Sequence, residues 1–307
     1  MESVLFVLWH VVICRVWAWS GQNHERDNAF AFFCADTYYV DADADWPWTA
    51  EHVYDTANLL IWYRMYFWDQ NHAERLRDFR TVYVGKNGYR KDCSWAVEEL
   101  ERRLQEDSVD RADILADKSY LSVGHFYPMD WVMQPDGKYT CLFRLAFLDV
   151  PMVIEYEEPA AKFAWELLPE TDSVGGYLCQ KAETEYKGRN YEAWFCPEIP
   201  IDAGPYKFRG LPGLILKVED KAGDYSWTFI DGAIQNLNEP MIERDYIRRK
   251  ASRSKARRLI QGIFEKPFPY AVSMGANILI YQEDGNHRPL TGEEMEESIY
   301  YTPIELE

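Results

Sequence analysis

Four stretches of this chain read strand, tight turn, strand, and they restrict it to an antiparallel β fold. Residues 81–93, "TVYVGKNGYRKDC", set two short apolar runs around Asn87-Gly88, a dipeptide that accepts the positive φ angles of a hairpin turn. "WVMQPDGKYTCLFRLAF" (131–147) turns at Pro135-Asp136-Gly137, where Pro and Gly supply the angles and Asp the side-chain acceptor. "GYLCQKAETEYKGRNYEAWFC" (176–196) turns at Lys187-Gly188, and "LILKVEDKAGDYSWTFI" (214–230) repeats the pattern. "NLLIWYRMYFW" (58–68) adds another strand, and Pro- or Gly-bounded runs between 151 and 186 add more. With 12 Trp and 21 Tyr, the composition also suits pleated surfaces. About ten strands joined by short turns form an antiparallel meander. The expected fold is mainly β, a β-rich α+β arrangement whose sheet is curved or closed into a barrel, with one or two flanking helices. Those helices are expected at 96–107 and in the basic stretch 241–264, "MIERDYIRRKASRSKARRLIQGIF". The tail after Pro267 reads as irregular.

The charge balance narrows the partners. A net charge of −18 repels phosphate backbones and excludes nucleic acid as a partner. Residues 4–13, "VLFVLWHVVI", are apolar but for one His. That is too short to span a bilayer and suits the hydrophobic region of a signal peptide ending near Ala18-Trp19-Ser20. The chain then divides into a signal peptide (1–20), an irregular lead-in (21–50), one β-rich domain (51–268) and an extension (269–307). The expected location is periplasmic or outer-membrane associated.

Six cysteines stand at 14, 34, 93, 141, 179 and 196. A two-residue turn at Lys187-Gly188 pairs Tyr186 with Arg189, and the same register carries Cys179 opposite Cys196 as a non-hydrogen-bonded pair. Side chains are closest at such pairs, so a Cys179–Cys196 disulfide is expected in an exported protein. That register also sets Glu183 against Glu192, a like-charge pair.

Residues 204–215, "GPYKFRGLPGLI", are the stiffest stretch. Gly204, Gly210 and Gly213 permit positive φ, while Pro205 and Pro212 fix theirs. Leu211, Leu214 and Ile215 lead into a strand. One reading is a rigid corner with conformation as its whole purpose. The other is a presented patch, in which Tyr206, Lys207, Phe208 and Arg209 grip a carboxylate or a peptide. On the second reading, replacing Lys207 and Arg209 by Ala weakens partner capture without lowering the melting temperature.

"GYLCQKA" (176–182), "GRNYEAWF" (188–195), "PEIPI" (197–201) and "GPYKFRGLPGLI" (204–215) follow one another closely. Together they resemble the GLPGLI family of Bacteroidetes envelope proteins, with weaker likeness at 155–167 and 82–93. The resemblance implies an exported β-rich protein, often encoded near outer-membrane import systems, whose biochemical role is unestablished. It implies an outer-membrane transporter or other envelope protein as a partner. Members of that family usually carry Thr at the place of Cys196 and Ser at the place of Cys93, so the resemblance implies no family-wide role for these thiols.

No catalytic motif emerges. The chain has no HExxH, CxxC, GxSxG or phosphate-loop pattern, so no catalytic residue, metal or cofactor is expected. The leading expectation is a non-enzymatic accessory that binds a ligand, peptide or partner. The alternatives are a half-barrel carrier of a lipid or other apolar ligand, and a thiol enzyme using Cys34, Cys93 or Cys141.

Overall fold

Nearly every apolar run becomes a strand of one sheet. The computed structural model describes residues 11–14, 51–68, 75–104, 127–145, 152–230, 238–273, 277–281, 287–289, 291–296, 301 and 303–307. The lead-in 21–50, Cys34 and all of the expected signal peptide except Val11–Cys14 lie outside the described residues. In chain order come β1 (Val11–Cys14), β2 (Glu51–Trp68), β3 (Arg75–Gly85), β4 (Arg90–Ser94) and α1 (Trp95–Leu104). Then follow β5 (Met129–Met133), β6 (Tyr139–Leu145), β7 (Met152–Glu158), β8 (Glu166–Val174), β9 (Tyr177–Tyr186) and β10 (Arg189–Cys196). β11 (Leu214–Asp220), β12 (Ser226–Phe229), β13 (Glu239–Arg244) and β14 (Ile247–Lys250) precede α2 (Arg253–Glu265) and α3 (Pro267–Ser273). β15 (Asn277–Tyr281) and β16 (His287–Pro289) come last, and β15 pairs with β1 and β16 in a small separate sheet.

Among the described residues the main sheet has 13 strands in the order β14-β7-β6-β5-β4-β3-β2-β12-β11-β10-β9-β8, with β13 also on β2. It is mixed, because β14 runs parallel to β7, and it is not closed. The hairpins fall where the turn residues place them: Val84 faces Arg90, Met133 faces Tyr139, and Tyr186 faces Arg189. Lys187 and Gly188 both take positive φ, 50° and 80°, as a primed two-residue turn requires. In β2, Ile61, Tyr63, Met65 and Phe67 alternate inward and are buried, the period-2 pattern of a strand with one face on the core.

Two expectations are corrected. Only Arg253–Glu265 of the basic stretch is α-helix. Residues 239–244 zip onto the first half of β2, and 247–250 zip onto β7. Both would otherwise be open edges, and tertiary pairing of an edge overrides weak local propensity. The tail after Pro267 is not irregular either: it forms α3, β15 and β16, and Phe268 and Ile304 join the main core.

That core gathers β2, β3, β5–β7 and β9–β12, together with Ala203, Tyr206, Phe208 and Leu211 and the buried face of α2 (Ala256, Ile260, Ile263, Phe264). The Tyr206 ring lies 4.8 Å from Trp131 of β5, 6.5 Å from Tyr186 of β9 and 6.1 Å from Trp227 of β12. One ring reaches three strands so far apart in the sheet order only because the sheet curls around it.

Candidate functional site

The stretch 204–215 crosses the inside of the curl. Its C-terminal end is tied back to the chain just before it: Leu214 N–H donates to Ile199 O, and Ile215 N–H to Ala203 O, both at 2.9 Å. Tyr63 Oη donates to Ile215 O at 2.7 Å. Tyr206, Lys207 and Phe208 are 4, 2 and 1% exposed. They are not a presented patch, which corrects that expectation for three of its four residues. Arg209 is half-buried, paired with Asp202 at 3.1 Å. Of the motif residues, Gly210 and Pro212 reach the surface, while Gly204, Pro205, Leu211, Gly213, Leu214 and Ile215 are buried.

The segment's shape is set by contacts that tolerate no change. Tyr206 sits at φ 55°, a strained angle for a bulky residue, held because its N–H donates to Asp92 Oδ2 at 2.6 Å. A Cβ on Gly213 would lie 2.1 Å from Cys196 O and 2.6 Å from its carbonyl carbon. Those are backbone atoms of β10 and cannot step aside. Gly213→Ala is therefore expected to cost ~3 kcal/mol. Gly210→Ala, at φ 90° with nothing nearer than Trp165 at 3.8 Å, is expected to cost only ~1–2 kcal/mol of backbone strain. Urea melts of the two variants check the ranking.

Lys207 is the centre of a closed ring of charge. Its Nζ donates to Glu158 Oε2 at 2.6 Å and Glu305 Oε1 at 2.7 Å. Arg253 closes the ring on the same two acids, through Nε to Glu158 Oε1 (3.0 Å) and Nη2 to Glu305 Oε2 (2.6 Å). Tyr206 Oη also donates to Glu305. Burial alone would lower the Lys207 pKa, but the surrounding acids hold it above its usual range. Burial alone would raise Glu305, but Lys207 and the hydrogen bonds to it push it down to about 2. A carboxylate depressed in the fold stabilises it above the unfolded value, near 4.5, and that contribution is lost as pH falls toward 2. Thermal melts should show this loss between pH 4.5 and 2, and Glu305→Gln should remove part of it.

Beside the ring lies a cavity of about 690 Å³. Tyr127, Trp131, Tyr156, Tyr206 and Tyr301 supply its rings, and Lys207, Arg253, Arg257 and Arg258 its cations. Among the described residues no group of His, Cys, Asp or Glu is placed to hold a metal ion, and no helix is long and apolar enough to cross a membrane.

A second buried charge cluster supports the segment from beneath. Arg80, fully buried, donates to Asp92 Oδ1 (2.7 Å), Asp78 Oδ2 (3.0 Å) and Met129 O (2.7 Å), with Asp130 at 3.8 Å. Asp92 thus bridges Arg80 and the Tyr206 amide. Sequence reading missed this cluster, although β3 carries its signal: Asp78 and Arg80 share strand parity with buried Leu76 and Val82.

The thiols behave differently from expectation. The β9–β10 register is the one read from sequence, through Gln180 opposite Phe195, with Glu183 opposite Glu192. That like-charge pair is relieved by Lys181 on Glu192 (2.6 Å) and Lys221 on Glu183 (2.5 Å). The β9–β10 ladder stops before the cysteines. On the other edge of β10, a bulge between Trp194 and Phe195 shifts it against β11, where Cys196 pairs with Leu214. The Cys179 thiol donates to Tyr177 O at 3.5 Å. Cys179 and Cys196 are both free, as are Cys93 and Cys141. Burial pushes the Cys141 thiol up to about 12 and Cys93 well above its usual range.

A family profile described as a protein of unknown function (Porph_ging) matches residues 182–217. The match runs from β9 through the 204–215 stretch into β11. It is of the Bacteroidetes type and does not carry the GLPGLI name. No curated protein matches. Among solved structures the chain is similar to PNGF-II in two space groups, at 12 and 11% identity and TM-scores of 0.40 and 0.38. Each likeness covers 67% of this chain and 33% of that one. The chain thus spans a third of their length, and neither likeness is close enough to transfer a fold or an activity.

Proposed function

We propose that this protein is an exported, non-enzymatic envelope component that binds a ligand or partner protein inside the curl of its sheet, beside an outer-membrane import system. The N-terminal apolar run and the resemblance over 176–215 support the address, and the Bacteroidetes-type match at 182–217 agrees with it. The binding half rests on one observation, the cavity of about 690 Å³ in which aromatic rings and fixed cations face a common space. Its size falls within the ~300–1,000 Å³ of small-molecule sites. Its rings offer flat apolar contact, while Arg257 and Arg258 offer the planar donors that suit a carboxylate or phosphate. The ligand class that matches is an apolar or aromatic body with an anionic group, or a peptide carrying one.

The same rings favour a second reading, a periplasmic half-barrel carrier of a lipid or other apolar ligand, which needs the cavity but no partner protein. A thiol enzyme fits less well. A nucleophilic cysteine needs a lowered pKa and access, whereas Cys93 and Cys141 are buried with raised pKa values. The test is mass spectrometry of protein purified from the envelope fraction, native and then denatured. A native mass above the denatured one supports a carried ligand, and solvent extraction of a lipid selects the carrier. Equal masses overturn the carried-ligand form, and recovery only from the cytoplasm overturns the address.

A further inference from the structure

Residues 303–307, Pro-Ile-Glu-Leu-Glu, lie along the rim of the same cavity. Side chains from distant parts of the chain hold them by their main chain. Arg189 Nη2 donates to Pro303 O at 2.8 Å, and Tyr191 Oη to Ile304 O at 3.2 Å. Arg257 Nη2 donates to Glu305 O at 2.6 Å, and Arg253 Nη2 to Glu307 O at 2.7 Å. In return, Leu306 N–H donates to Lys187 O at 2.9 Å. Ile304 is 5% exposed, and the Glu305 carboxylate enters the socket of Lys207, Arg253 and the Tyr206 hydroxyl. Leu306 points outward, 53% exposed.

Ile304 packs into the main core, but the main chain of the segment is held the way a protein holds a peptide. Core segments are fixed by apolar packing and by their own strand or helix ladder. Here four carbonyls, one amide and one carboxylate are met by Arg189, Tyr191, Arg257, Arg253, Lys207, Tyr206 and the Lys187 carbonyl, with Arg253 serving both the Glu307 carbonyl and the Glu305 carboxylate, which is the contact set an extended peptide offers to a groove. The charge is complementary as well. The segment carries two carboxylates and no cation, and its partners include Lys207, Arg253, Arg257 and Arg189, within a chain whose net charge is −18.

We propose that this groove recognises an extended acidic peptide of the form apolar–Glu–apolar on a partner protein, and that residues 303–307 are its occupant in cis. The proposal deepens the binding reading above and rests on it, naming the partner's chemistry. A tethered occupant acts at an effective concentration of ~1 mM, so it excludes a partner peptide of micromolar affinity until it is displaced. Displacement would also open the cavity, since Pro303, Ile304, Glu305 and Glu307 form part of its wall.

The test uses the full chain and a fluorescein-labelled Pro-Ile-Glu-Leu-Glu peptide, read by anisotropy. The variant Ile304→Ser with Glu305→Ala frees the groove and should bind the peptide at least tenfold more tightly than the unaltered chain. The same peptide with Gln for its first Glu should bind the variant at least tenfold more weakly. A folded variant that ignores the peptide at millimolar concentration overturns the proposal. If circular dichroism shows that the variant does not fold, the unaltered chain decides the matter. Millimolar peptide should then speed hydrogen exchange of the Leu306 amide and leave the Tyr206 amide unchanged, and no effect at Leu306 overturns the proposal. A mass excess from a carried ligand with no peptide effect would sink this proposal alone and leave the binding reading standing.

Discussion

Lys207→Met is expected to destabilise the protein by ~3–5 kcal/mol, because it leaves Glu158 and Glu305 buried without their shared cation. Glu158 is 3% exposed and Glu305 8%, so water cannot replace the ammonium. Arg253 remains on both acids, which sets the lower end of that range. The melting temperature should fall by on the order of 10 °C. Arg209→Ala, by contrast, removes a half-exposed pair with Asp202 and is expected to cost only ~0–1 kcal/mol. The contrast separates an internal brace from a presented patch, on which both substitutions would spare stability. Glu158→Gln combined with Lys207→Met should recover part of the loss, since one stranded charge is then removed.

Arg80→Met is expected to cost at least as much, ~4–5 kcal/mol, by stranding a cluster rather than a pair. Asp78, Asp92 and Asp130 surround the guanidinium. Asp130 keeps Arg144 at 2.6 Å and Asp78 keeps Ser94 at 2.8 Å, but Asp92 loses its cation and keeps only the Tyr206 amide among its bonds named above. The defect should therefore spread into the 204–215 stretch. It should also depend on pH in a definite direction. Burial already pushes Asp78 up to about 6 in the fold, against 3.8 unfolded, even with Arg80 beside it. Without Arg80 the carboxyl shifts further up. A group raised in the folded state contributes stability that is full below its unfolded pKa and lost as pH rises through the folded one. Relative to the unaltered chain, the variant should regain stability as pH falls from 8 toward 5. Denaturant melts at three pH values check this, and a pH-independent difference would argue that Arg80 acts through packing alone.

How much of this could be read in advance depends on where each determinant lies. The turns at Asn87-Gly88, Pro135-Asp136-Gly137 and Lys187-Gly188 are local: two or three residues carry the φ angles, so the hairpins followed directly, and with them the one register read out, at Lys187-Gly188. An antiparallel sheet, curved or closed, followed from the hairpins; that it stays open did not. The roles of 239–250 did not, because its partners are the edges of β2 and β7, strands set far earlier in the chain. The inward turn of 204–209 was hidden for the same reason. Tyr206 meets Asp92 at a separation of 114 residues, and Lys207 meets Glu158 and Glu305 at 49 and 98. A lone Lys reads as exposed because its burial requires partners, and nothing near it in sequence announces them. The disulfide expectation had the β9–β10 register right, but the ladder ends at Gln180 and Phe195, one pair short of the cysteines, and a hairpin's sequence does not show where its pairing stops.

The claim that joins fold and function is that 204–209 is an internal brace which shapes the cavity wall. Amide hydrogen exchange at Tyr206 tests it most directly. Its N–H is buried against Asp92 at 2.6 Å, so it should exchange only on global unfolding, together with the Ile215 amide that enters β11, while Gly210 at the surface exchanges far sooner. Exchange of Tyr206 at the rate of Gly210 would mean that the segment lies open to solvent, and the account of the cavity would fall with it.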